Sequence, residues 1–194
     1  DSSYPPTAQN SYYLTTQTPY SNQIIVSGAV IAGAGAGYVS QNNDFDVTFN
    51  RPQNIKGKAY LNITLGGFRP GGGSNPYLWV SGAYLKNNTT GVVISDVLRS
   101  EAFELQAVNN VRAKTMLIPF NLGSQVYHFK KGDTLRLHFD MWGTGGSSSG
   151  LQYAGYGADP KDRTDPNAGT VLATLSGAST TQLSLYVPFV IDIT

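Results

Sequence analysis

From Asp44 onward, apolar and polar residues alternate with a period of two. Phe45, Val47 and Phe49 alternate with Asp44, Asp46, Thr48 and Asn50. Ala59, Leu61, Ile63 and Leu65 alternate with Lys58, Tyr60, Asn62 and Thr64. The cleanest run puts Leu135, Leu137, Phe139 and Met141 on one face and Arg136, His138, Asp140 and Trp142 on the other. That period belongs to a strand with one buried face. Further strands are expected over residues 77–85, 92–97, 116–120, 126–129, 171–175 and 183–193. Turn signals separate them at 66–67, 71–73, 87–91, 131–133 and 143–150. Only residues 95–110 suit a short helix. Many short strands with Gly-rich turns predict an all-β domain, a two-sheet β-sandwich or jelly roll, over residues 44–194.

The first 43 residues behave differently. Asp1 is their single charged side chain, and the next is Asp44. Disordered tails stay soluble through high net charge and low hydrophobicity. This segment has neither, and it carries Tyr12, Leu14, Ile24, Val26 and Val30 among other apolar residues. Left exposed, it would be a β-aggregation hazard, so it is expected to pair with a sheet. It can fold back as an edge strand of its own sandwich, or add to a neighbour's sheet. Tyr12, Leu14, Ile24, Val26 and Val30 are the candidate polymerisation residues. The small residues between Gly28 and Gly37 allow close backbone approach or a hinge.

Composition narrows the setting. Charged residues make up 13% of the chain, against about 25% in an ordinary soluble domain. Ser, Thr, Asn and Gln fill the surface instead. With 13 basic and 12 acidic residues, no positive excess exists for nucleic acid. The absence of cysteine removes disulfides, thiolate chemistry and Cys-ligated metals. The most apolar stretch, residues 24–39, is broken by Ser27 and several glycines and falls short of a membrane span. Pro5 and Pro6 with polar neighbours exclude the apolar N-terminal helix of a type IV pilin. The start at Asp1 rather than Met leads us to expect a processed chain, extracellular or on the cell surface.

The middle of the chain carries an ordered set of features. Leu61, Ile63 and Leu65 are followed by Tyr77, Leu78, Trp79 and Val80, then by Gly91, Val92, Val93 and Ile94. An Arg99-Ser100 step precedes the run from Val126 to Phe139, which holds the Lys130-Lys131-Gly132-Asp133 turn and Leu135-Arg136-Leu137. This order resembles the C-terminal galactose-binding-like jelly-roll domain of X-Pro dipeptidyl peptidases and cocaine-esterase-type hydrolases. The resemblance implies a fold and no active site, because the catalytic residues of those hydrolases lie in another domain. In class, composition and uncharged tail, the chain also resembles subunits of archaeal threads and related surface pili, which assemble by strand donation.

Other candidate chemistry is sparse. His138 and Asp140 share a strand face, as a hydrolytic pair would. No Gly-x-Ser-x-Gly elbow accompanies them, and a charge ladder on an exposed face explains them as well. Asp159, Asp162 and Asp165 recur in one loop and suit a structural calcium ion, although Asp-Pro turns account for the same pattern. Sequons at Asn62, Asn87 and Asn88 are candidates for N-linked glycans. Tyr77, Trp79, Tyr153 and Tyr156 are candidates for a sugar platform. The expectation is therefore no enzyme. It is a filament subunit whose partner is itself, as a head-to-tail homopolymer, with residues 1–43 as donor strand. The alternative is a carbohydrate-binding or accessory β domain of a secreted protein.

Overall fold

The computed structural model describes residues 12–13, 38–69, 75–106, 110–144, 153–157 and 183–190. Regular structure among them is entirely strand. In chain order the strands are β1 (Tyr12–Tyr13), β2 (Tyr38–Thr48), β3 (Gln53–Ile55), β4 (Lys58–Arg69), β5 (Tyr77–Asn87), β6 (Val92–Val93) and β7 (Phe103–Glu104). They continue with β8 (Asn110–Asn121), β9 (Tyr127–Phe129), β10 (Thr134–Thr144), β11 (Tyr153–Gly157), β12 (Leu183–Tyr186) and β13 (Phe189–Val190). The first sheet runs β1-β2-β10-β5-β6, with β7 also on β5. In the second, β4 is central, with β8 along one edge and β11 and β12 along the other. A small third sheet runs β13-β3-β9.

The alternation read from the sequence explains the layering. Leu135, Leu137, Phe139 and Met141 of β10 are buried, as are Leu61, Ile63 and Leu65 of β4. These two central strands point their apolar faces at one another across a single core, closed by Phe45, Ile118, Phe120 and Phe129. Phe45 stacks on Phe139 at 5.8 Å between ring centroids. The result is an all-β sandwich. β2 is continuous from Tyr38, opposite Thr144, to Thr48, opposite Thr134. The boundary expected after residue 43 therefore falls inside a strand, at a residue, Asn43, that is itself buried.

Three local expectations change. Residues 95–104 are not helical. Leu98 bridges Ala83, Ser100 N–H donates to Val80 O, and β7 pairs with β5. The edge of β5 decides this, because it offers backbone groups that an extended neighbour satisfies. Two serines complete the pairing. Ser95 Oγ accepts from Leu85 N–H at 2.9 Å and donates to Asp96 O at 2.7 Å. Ser100 Oγ accepts from Val80 N–H and donates to Glu101 O, both at 2.9 Å. The strand expected over 92–97 shortens to β6 for the same reason. The turn expected at Gly66-Gly67 lies inside β4, where small neighbours flank it: Gly66 is in register with Ala113 and Gly155. Gly143 likewise belongs to β10. Residues 171–175 lie outside the described residues.

β5 carries a bulge where its register against β10 shifts between His138 and Asp140. Gly82 occupies it at φ +60°, a conformation open to glycine without strain. A Cβ there would stand 3.0 Å from Asp140 Oδ2. Gly82→Ala is expected to cost about 1–2 kcal/mol from the left-handed backbone alone, and more from that contact. Gly91, at φ +81° with nothing within 4 Å of where a methyl would stand, isolates the backbone part. Denaturant midpoints should rank wild type, Gly91→Ala, then Gly82→Ala. Equal losses would mean that Asp140 yields to the methyl.

Candidate functional site

The outer face of the first sheet carries a charged ladder. Cross-strand register places Arg136 opposite Asp46, and His138 opposite both Asp44 and Tyr84. Arg136 Nε and Nη2 donate to the two carboxylate oxygens of Asp46, each at 2.7 Å, and Nη1 donates to Asp44 at 2.8 Å. Such forked pairing is the strongest use of a guanidinium. The hydrogen bonding to Asp46, with the charges of both aspartates, raises the Arg136 pKa above its ordinary value, against the opposing effect of burial. His138 Nδ1–H donates to Asp44 Oδ1 at 2.6 Å, and Nε2 lies 3.4 Å from Asp140 Oδ1. Tyr84 stacks on the imidazole at 4.6 Å. Both ring nitrogens thus face carboxylates. This is the geometry of a cross-strand ladder. Chemically it ties β2 to β10.

That ladder anchors the strand that receives the N-terminal segment. β1 pairs with β2 in parallel, Tyr12 opposite Phe45 and Tyr13 opposite Asp46. The outer edge of β2 is therefore a strand seat, and Tyr12 and Tyr13 occupy part of it. Tyr12 is the one candidate polymerisation residue within the described residues. Leu14, Ile24, Val26 and Val30 lie outside them, as do Asp159, Asp162 and Asp165. Among the described residues no cluster of His, Asp or Glu is arranged to hold a metal ion. No helix there is long and apolar enough to cross a membrane.

The sequons separate by environment. Asn87 is 6% exposed, and its Oδ1 accepts from Thr90 N–H at 3.1 Å, so this sequon is used to build its turn. Asn88 is half-buried in that turn, and Asn62 is half-buried on the outer face of β4. The sugar-platform candidates divide between the two large sheets. Tyr77 and Trp79 belong to the first sheet, whereas Tyr153 and Tyr156 occupy positions on β11 of the second. Trp79 is 7% exposed, stacked on Trp142 at 6.3 Å and covered by Arg99 at 4.8 Å. Tyr77 OH donates to Glu104 Oε1 at 3.0 Å.

Glu104 is a residue that no pattern in the sequence singles out. It accepts from Asn75 Nδ2, Tyr77 OH and Gln106 Nε2, all within 3.0 Å. These bonds, Gln106 first, hold its carboxyl below the ordinary glutamate value, and the hydrogen bond from Tyr77 to Glu104, then the carboxylate's charge, raise the Tyr77 pKa in turn. Only pairing of β7 with β5 assembles this group, so no sequence spacing announces it.

No family model and no curated protein matches the chain. Solved structures similar to it include a CocE/NonD family hydrolase from Staphylococcus aureus, at 11% identity and a TM-score of 0.30. The match covers 69% of this chain and 36% of the hydrolase, so the chain corresponds to little more than a third of that protein's length. Another is a protein of the Bacillus endospore appendages, a family of disulfide-linked pili, at 12% identity and a TM-score of 0.15. That match covers 62% of this chain and 97% of the other. This chain has no cysteine, so a disulfide link is not open to it.

Two outcomes are expected here. Arg136→Met leaves Asp44 and Asp46 without their shared cation and should cost about 1–3 kcal/mol in chemical unfolding. An unchanged midpoint would show that solvent replaces the guanidinium. In a carboxyl NMR titration, Glu104 should protonate below an ordinary glutamate, and Gln106→Ala should move it upward. Because the folded pKa is lowered, its stabilisation is present above the ordinary glutamate range. It fades as pH falls through the lower folded value.

Proposed function

We propose that this protein is the structural subunit of an extracellular filament, assembled when the N-terminal segment of one subunit adds a strand to the next. The observation that carries the reading is the seat on β2, where Tyr12 and Tyr13 already pair as an edge strand. A chain that places an uncharged, β-prone segment on a sheet edge in one molecule can place it there in a neighbour by the same hydrogen bonds. Addition repeated in one direction does not close, so it propagates. The low charge of the surface supports close stacking of subunits, and glycans at Asn88 and Asn62 fit an exposed outer surface. A donated strand burying roughly 600 Å² of apolar surface gains on the order of 15 kcal/mol before its ordering costs.

The test compares the full chain with one lacking residues 1–37, a cut that leaves β2 whole. Light scattering and negative-stain microscopy should show filaments from the first and a folded monomer from the second. A full chain that stays monomeric at high concentration would sink the filament reading.

A further inference from the structure

Among the described residues, the edge opposite the β2 seat offers a second place for a strand. There the segment Leu98 to Glu101, lying on β5, faces the edge strand β8 across a groove of about 550 Å³. Its floor is apolar: Met116 and Ile118 are buried core residues, and Leu98 packs against them. Its rim carries Arg99 and one ion pair, Lys114 Nζ to Glu101 Oε2 at 3.8 Å, which joins the two sheets.

β8 meets β4 along its whole length and has no second neighbour strand among the described residues. Its hydrogen-bonding phase follows from its end. Asn121 N–H donates to Asp96 Oδ1, and Asn121 O accepts from Asp96 N–H, so Asn121 faces away from β4. Leu122 N–H turns back to Gly57 O. By the alternation of a strand, Pro119, Leu117 and Thr115 also face away. Pro119 fits that phase, because a proline on the outward set costs the sheet no bond. Thr115 and Leu117 therefore direct their N–H and C=O groups to the open edge. Leu117 adds a side chain that is 59% exposed.

We infer that this groove is the acceptor for a second copy of the chain, and that residues 24–30 of that copy enter it as a strand on β8. This rests on the filament reading and names its second contact. Three features select that occupant. The segment is uncharged, so it brings no cation against the Arg99 and Lys114 of the rim. Its alternation puts Ile24, Val26 and Val30 on one face, toward the groove floor, and Ile25, Ser27 and Ala29 on the other. The chain also reaches: the eight residues from Val30 to the start of β2, fully extended, let the segment stand roughly 27 Å from its own domain. The segment enters its own domain at β2, on the edge opposite the groove. Donor and acceptor thus sit on opposite sides of one subunit, as head-to-tail addition requires.

The experiment uses full-length chains, which have no native cysteine. Leu117→Cys protein is mixed with Ile25→Cys, Ser27→Cys or Ala29→Cys protein and oxidised mildly. Cross-strand neighbours on one face approach within disulfide range. Alongside, Leu117→Pro removes the outward N–H, Leu117→Ala retains it, and circular dichroism verifies that each folds. The expected results are a mixed disulfide from at least one pair, filaments from Leu117→Ala, and loss of filaments from folded Leu117→Pro. Should Leu117→Pro unfold, the mixed disulfide decides alone. Wild-type filaments that form no such disulfide would overturn the groove and leave the filament reading standing. A wild-type chain that never polymerises would overturn both. Disulfides formed within one chain in a double-cysteine variant, or only between two Leu117→Cys copies, would also overturn it, by giving the groove to the chain's own segment or to a second β8.

Discussion

Every strand has two edges of backbone donors and acceptors, and each edge has to be satisfied or guarded. This constraint organises the molecule. β10 and β4 satisfy it fully, since each is paired on both sides. Their burial is possible for that reason, and they supply the two facing layers of the core. In the two large sheets each remaining strand lies at or toward an edge, and the chain answers each edge differently.

On the β5 side, the answer is local and polar. Ser95 and Ser100 place hydroxyls where a neighbouring strand would place carbonyls, and Asp96 caps the end of β8. On the β2 side, the answer is a strand from the chain's own N-terminal segment. The inner length of β8 is answered least. Pro119 removes one donor, and the Lys114–Glu101 pair places charge at the rim. Natural sheets guard edges with prolines and lysines of this kind. Here the guard stops short of Leu117 and Thr115.

The charged ladder serves the same end. A parallel two-residue strand adds little stability by itself, so its acceptor has to be rigid. The Arg136 fork to Asp46 and Asp44, with His138 held between Asp44 and Asp140, fastens β2 to β10 on the face away from the core. Polar residues that resemble a catalytic pair in the sequence thus act as a cross-strand clamp.

The alternation from Asp44 through Met141 determined the all-β class, the buried faces of β4 and β10, and the turns after Asn87 and at Lys131 to Asp133. These depend on neighbours in sequence, and a period of two is legible wherever one face is wet and the other dry. The uncharged N-terminal segment was expected to pair with a sheet because nothing in its composition could keep it soluble alone, and Tyr12 and Tyr13 do so. What the sequence left open depends on which chain lies alongside. Extended structure over residues 95–104 replaced the expected helix because β5 offered an unpaired edge. Gly66 and Gly67 stayed in a strand because Ala113 and Gly155 flank them. Asn87 looked available for a glycan until its turn buried it, and Glu104 gained its three donors only when β7 met β5. Edges, bulges and ion-pair partners are properties of register between distant segments, and only the tertiary structure sets that register.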